Sequence, residues 1–90
     1  MNKERRKQIV DVQGKLNGMI ESLRNIKDEL EGTKNDEEEA KDNLPESLQD
    51  SDKASSMENA ISCMDSAMSS IEEDAISAIE DACNSLDDIE

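Results

Sequence analysis

Ninety residues without a single Phe, Tyr, Trp or His, carrying a net charge of −14, bound what this chain can be. One domain is the limit, and its core has to come from Leu, Ile, Val, Met and Ala, in a size range where buried surface is scarce. The missing histidine removes the commonest general base and metal ligand, and a field of this sign repels nucleic acid and anionic membranes while drawing in basic surfaces.

The charged start, Met1 to Val10, leads into no apolar run of the kind a signal peptide needs. No stretch approaches the roughly 18 apolar residues of a membrane span. A soluble, cytoplasmic protein is expected. Helix 1 is expected over about residues 3–43. Ile9, Val12, Leu16, Met19, Leu23, Ile26 and Leu30 alternate at intervals of 3 and 4. That places Ile9, Leu16, Leu23 and Leu30 at a positions and Val12, Met19 and Ile26 at d positions of one coiled-coil stripe. Ile20 widens the stripe to e, as a bundle requires. Thr33 and Glu37 interrupt it, the acidic run Asp36-Glu37-Glu38-Glu39 overlaps the gap, and Ala40 and Leu44 resume the register. Gly14 and Gly18 fall on the outer face, where each costs about 1 kcal/mol against Ala in an exposed helix. They fit a close-packed partner helix or tolerated drift.

Pro45 ends the helix, because it lacks an N–H and disfavours helical geometry in the residue before it. The hinge is expected over about 44–52, with one short turn at Pro45 to Leu48. Helix 2 follows over about 53–89, capped by Ser51 or by a Ser55/Glu58 capping box. Met57, Ile61, Met64, Met68, Ile71, Ala75, Ile79, Ala82, Leu86 and Ile89 form its stripe, and a 4-4 step near Ala75 reads as a stutter that unwinds a supercoil. The methionines keep core spacing, which favours packing over an adaptable binding groove. Serine and asparagine recur through this half and are poor helix formers, so tertiary packing has to hold it. Cys63 and Cys83 would lie about 30 Å apart on one helix, too far for a disulfide, and free thiols are expected.

Two helices joined by a short loop fold back antiparallel. Lys3, Arg5, Arg6 and Lys7 sit at the wrong end of helix 1 for its dipole, as Asp87, Asp88 and Glu90 do for helix 2. Side by side, the clusters offset one another. The fold expected is therefore all-α, a long antiparallel two-helix coiled-coil hairpin. Its half-wet stripes predict homodimerisation into a four-helix bundle, with Ile9, Val12, Leu16, Met19, Leu23, Ile26, Leu30, Ile61, Met64, Met68, Ile71, Ile79 and Leu86 as the packing seam.

No catalytic residue, metal site or cofactor is expected. The run from Asp36 to Glu39 lacks the spacing of an EF-hand loop, and carboxylates on a two-helix rod have no pocket to raise a pKa. Lys3 to Lys7 lacks aromatics to stack bases and serves as counter-charge, so no direct nucleic-acid contact is expected. What stands out is the absence of Lys and Arg from Ala54 to Glu90, where ten acidic residues occur. Surface helices normally mix signs. The acidic surface singled out for partner binding is Asp36, Glu37, Glu38, Glu39, Glu72, Glu73, Asp74, Glu80 and Asp81.

The opening Met1-Asn2-Lys3-Glu4-Arg5-Arg6-Lys7, the Glu37-Glu38-Glu39-Ala40 run and the hinge Asp42-Asn43-Leu44-Pro45-Glu46-Ser47-Leu48-Gln49 resemble small acidic helical-hairpin proteins encoded by bacteriophages and prophages. The resemblance covers about a quarter of the chain. It departs at Lys41, where an aromatic is expected beside the hinge, and in the Ser- and Met-rich second helix. It implies phage origin and an intracellular setting. The expected function is that of an accessory protein that binds and inhibits a host protein with a basic, nucleic-acid-binding surface. The alternative is a self-associating structural spacer with no inhibitory target.

Overall fold

The computed structural model describes residues 1–89; Glu90, counted above in the acidic C-terminal cluster, lies outside them. Helix α1 (Lys3–Asp42) runs unbroken, a 3-10 turn (Glu46–Leu48) follows, and the chain returns through α2 (Asp52–Ser69), a π-helical segment (Ser70–Ile76) and α3 (Ser77–Asp87). Backbone angles stay helical across both junctions of the return, so these three pieces form one continuous second arm. Lys41 pairs with Glu58, Lys34 with Asp65, Lys27 with Glu72 and Arg24 with Glu80. One number falls as the other rises, which makes the arms antiparallel. The molecule is an all-α helical hairpin, 70 Å long and 15 by 12 Å across.

Local chemistry sets the ends. Asn2 caps α1, its Oδ1 accepting the Arg5 N–H at 2.8 Å. At the far end the Asn43 and Leu44 N–H groups donate to the Glu39 and Lys41 carbonyls, and Pro45 admits no further turn. Gln49 then reaches back, its Nε2 donating to the carbonyls of Leu44 at 2.8 Å and Lys41 at 3.4 Å. One amide thus adds a second donor to the Lys41 carbonyl, already bonded to the Leu44 N–H, and supplies a partner to the Leu44 carbonyl beyond the helix end. Ser51 is the cap of α2, its Oγ accepting from the Ala54 N–H and donating to the Leu48 carbonyl. Ser55 lies one turn inside the helix, so the Ser55/Glu58 box is not the entry signal.

The seam between the arms is rotated from the stripe that spacing picks out. Ile9, Leu16, Leu23 and Leu30 are half-buried and Ile20 is buried, but Val12, Met19 and Ile26 are 43%, 53% and 48% exposed. The second line of the seam is instead Gln13, Ile20, Lys27, Lys34 and Lys41, at steps of seven, all buried or half-buried. Two physical reasons favour this rotation. Beyond Ile26 the d line offers only Thr33 and Ala40, which fill little space, whereas Lys stems can lie along the second arm with their ammonium groups at its edge. Each of those three ammonium groups also meets a carboxylate there.

On the second arm the buried residues are Ala54, Ile61, Met68 and Ile76. The steps are seven, seven and eight. The half-buried line Met57, Met64, Ile71, Ile79, Leu86 makes its step of eight at the same place. An extra residue would turn everything beyond it through about 100° on a 3.6-residue helix. The wider turn of the π segment takes up that residue. Ile76 is consequently the most deeply buried side chain, 1% exposed, with Ala75 half-buried beside it. Cys83 is half-buried where the simple count placed Ala82, which is exposed.

Candidate interaction surfaces

The rotated seam divides the carboxylates of the second arm into two rows. Glu58, Asp65, Glu72, Glu80 and Asp87 lie on the edge facing α1, again at steps of seven, seven, eight and seven. Each is engaged across the gap. Lys41 Nζ lies 2.7 Å from Glu58, Lys34 Nζ 2.8 Å from Asp65, Lys27 Nζ 3.5 Å from Glu72 and Arg24 Nη2 3.5 Å from Glu80. At the open end Gln13 Nε2 donates to Asp87 at 2.7 Å and to the Cys83 carbonyl at 3.3 Å. Lys34 also reaches Glu38 at 3.6 Å on its own helix. The ladder raises the pKa of both central lysines above the usual 10.5. For Lys34 the leading cause is the hydrogen bond to Asp65, partly opposed by desolvation and aided by the nearby charges of Asp65 and Glu38. For Lys41 it is the hydrogen bond to Glu58, then that carboxylate's charge.

Of the nine acidic residues singled out from the sequence, Glu38, Glu72 and Glu80 are thus in ion pairs. Asp36, Glu37, Glu39, Glu73, Asp74 and Asp81 form none among the described residues, and all but the half-buried Glu37 are exposed. Asp36, Glu37 and Glu39 gather at the hinge end with Asp42, Glu46, Asp50 and Asp52. Of the two basic residues there, Lys41 is already held by Glu58 and Lys53 is exposed beside Asp52. The outer face of the second arm is largely neutral, with Ser55, Ser62, Ser66 and Ser69 exposed along it. Its acidity returns at Glu73, Asp74, Asp81 and Asp88. Sequence reasoning missed the lysine ladder. The signal was present as Lys27, Lys34 and Lys41 seven apart, matched by Glu58, Asp65 and Glu72 seven apart.

At the open end Arg6 and Asp87 line one groove with Ile9 and Leu86, so the basic and acidic clusters do lie side by side. No ion pair joins them among the described residues; Arg6 Nε donates to the Met1 carbonyl instead. Cys63 is a free, exposed thiol and Cys83 a free, half-buried one. Cys83 Sγ lies 3.8 Å from Asn17 Oδ1. No set of three or more Cys, Asp or Glu placed for a metal ion occurs among the described residues, nor is any described helix long and apolar enough to cross a membrane. No family model, curated protein or solved structure matches this chain.

Proposed function

We propose that this hairpin is a non-catalytic binding protein that covers a basic, nucleic-acid-binding surface on another protein, as a phage-type accessory protein would inhibit a host factor. One observation supports this above the rest: the hinge end concentrates Asp36, Glu37, Glu39, Asp42, Glu46, Asp50 and Asp52 with no internal ion-pair partner among the described residues. Unpaired, solvated carboxylates on a rigid rod keep their full field for a partner, and nearly fixed positions reduce the ordering cost of binding. Glu73, Asp74 and Asp81 extend the same sign along the second arm. Glu72 and Glu80 contribute less, because Lys27 and Arg24 already neutralise them.

The test is capture from a cell lysate on the immobilised chain, eluted in parallel by rising salt and by double-stranded DNA. Exposed charge contacts are screened within a Debye length of about 8 Å at physiological ionic strength. The expected partner therefore leaves in moderate salt, is displaced by DNA, and fails to bind when Asp36, Glu37 and Glu39 are changed to their amides. A partner that resists both eluents, or that binds the amide variant equally well, overturns the proposal.

A further inference from the structure

The long edge opposite the ion-pair ladder differs from the rest of the surface. It carries Val12, Met19 and Ile26 of α1, exposed at steps of seven, on the same flank as Ala60, Ala67, the half-buried Ala75 and Ala82 of the second arm, which follow at steps of seven, eight and seven along the π-shifted register. On an antiparallel pair of helices, the two flanks of each seam lie on opposite sides of the hairpin. All four cross-arm ion pairs occupy one flank; the aliphatic and alanine rows occupy the other. We propose that this edge binds the same edge of a second copy, the two hairpins lying in opposite directions to complete a four-helix bundle.

The extent of the edge suits that occupant. The whole rod is 70 Å long and 12 Å across, so full overlap projects on the order of 800 Å² per copy, the area each partner contributes to a stable interface of standard size, with the aliphatic residues covering about 21 Å of that length. Alanine rows let the second arms approach closely, and full overlap of the rods sets Met19 of one copy opposite the partner's Ile26. Charge selects the direction. The hinge end holds eight acidic residues from Asp36 to Asp52 against Lys41 and Lys53. The open end holds Lys3, Arg5, Arg6 and Lys7, all exposed and without ion pairs among the described residues, and Glu4, Asp87 and Asp88 beside them bring that end close to neutral. Parallel hairpins would stack the two acidic ends. Opposed hairpins place each acidic hinge end against a nearly neutral open end with four bases in it, and the hinge ends still keep an excess of negative charge.

Sedimentation equilibrium and a distance between spin labels on Cys63 test both parts, with Cys83→Ser removing the second thiol. The rise of about 1.5 Å per residue puts the two Cys63 labels about 40 Å apart in opposed hairpins, whereas parallel hairpins bring them to one level, under about 20 Å. The expected result is a dimer with the long distance, converted to monomer by Met19→Glu with Ile26→Glu. Both substituted residues are exposed in the single hairpin, so its helical signal should survive. A wild-type chain that stays monomeric at micromolar concentration overturns the proposal. So does a short label distance, or a dimer indifferent to the paired substitution. The result does not depend on whether the acidic hinge captures a basic protein.

Discussion

Lys34 occupies a position that a two-stranded coiled coil normally fills with an apolar side chain, yet it is only 21% exposed and bonded at 2.8 Å to Asp65 on the other arm. A polar group at such a position lowers stability but fixes register, and Lys27 and Lys41 repeat the arrangement one heptad to either side. Sliding one arm by a residue would break every rung. Because folding raises the pKa of Lys34 and Lys41 above 10.5, the folded chain holds those protons more tightly than the unfolded one. The stability they add is complete below pH 10.5 and is lost as pH climbs through the higher folded values. Helical circular dichroism should therefore hold to about pH 10 and decline above it. The chain has no tyrosine to confuse that range. A Lys34→Met, Lys41→Met variant should lose much of the decline, and an unchanged profile would mean that the rungs add nothing to folding.

At the scale of the element, the π segment is a register device. It carries one extra residue through Ser70–Ile76, so that Ile76 and Cys83 stay on the line set by Ile61 and Met68. Removing Asp74 should restore an uninterrupted heptad repeat, with Ala75 and Ile76 brought into α-helical register. The second arm then regains regular backbone hydrogen bonding, worth about 1 kcal/mol per bond, and the midpoint of thermal unfolding should rise by about 5 °C. Inserting one alanine after Ser62 has no such device to absorb it and should lower the midpoint. A deletion that destabilises as much as the insertion would show that the wide turn itself is required. Pro45, Ser51 and the 3-10 turn follow from local backbone chemistry, and so does the hairpin they connect. The 4-4 step near Ala75 marks the step of eight from Ile71 to Ile79, but not the place of Ile76 as the deepest residue, because Ala75 and Ile76 are adjacent and a count through apolar residues can pass by either. The ladder stayed hidden for a related reason: lysine is ordinarily a solvent residue, and only the position of the opposite arm shows that Lys27, Lys34 and Lys41 lie in a seam. Among the candidate site residues, position along the chain could be read, but whether Glu72 or Glu73 faced a lysine depended on the rotation of the whole helix.

For the whole molecule, two electrostatic effects of opposite sign act together, and salt separates them. The cross-arm rungs attract at 2.7–3.5 Å. Apart from Lys27, Lys34 and Lys41, their members are about half-exposed, so solvent screens each rung and a single one adds little. Against them stands a net charge of −14 on a thin rod, whose self-repulsion opposes the folded state. Repulsion summed over longer distances is screened more completely than contacts inside a Debye length of about 8 Å at physiological ionic strength. Added salt should therefore remove more repulsion than attraction, and the midpoint of unfolding should rise between low salt and half-molar salt. A basic partner held at the acidic hinge follows the other sign, since its contacts are intermolecular and solvated; its affinity should fall over the same series. Measuring both in one set of buffers distinguishes the cases. If the midpoint falls with salt, the rungs outweigh the net charge in holding the hairpin together. A rising midpoint with falling affinity is the pattern expected of a rod whose folding is opposed by the charge its binding uses.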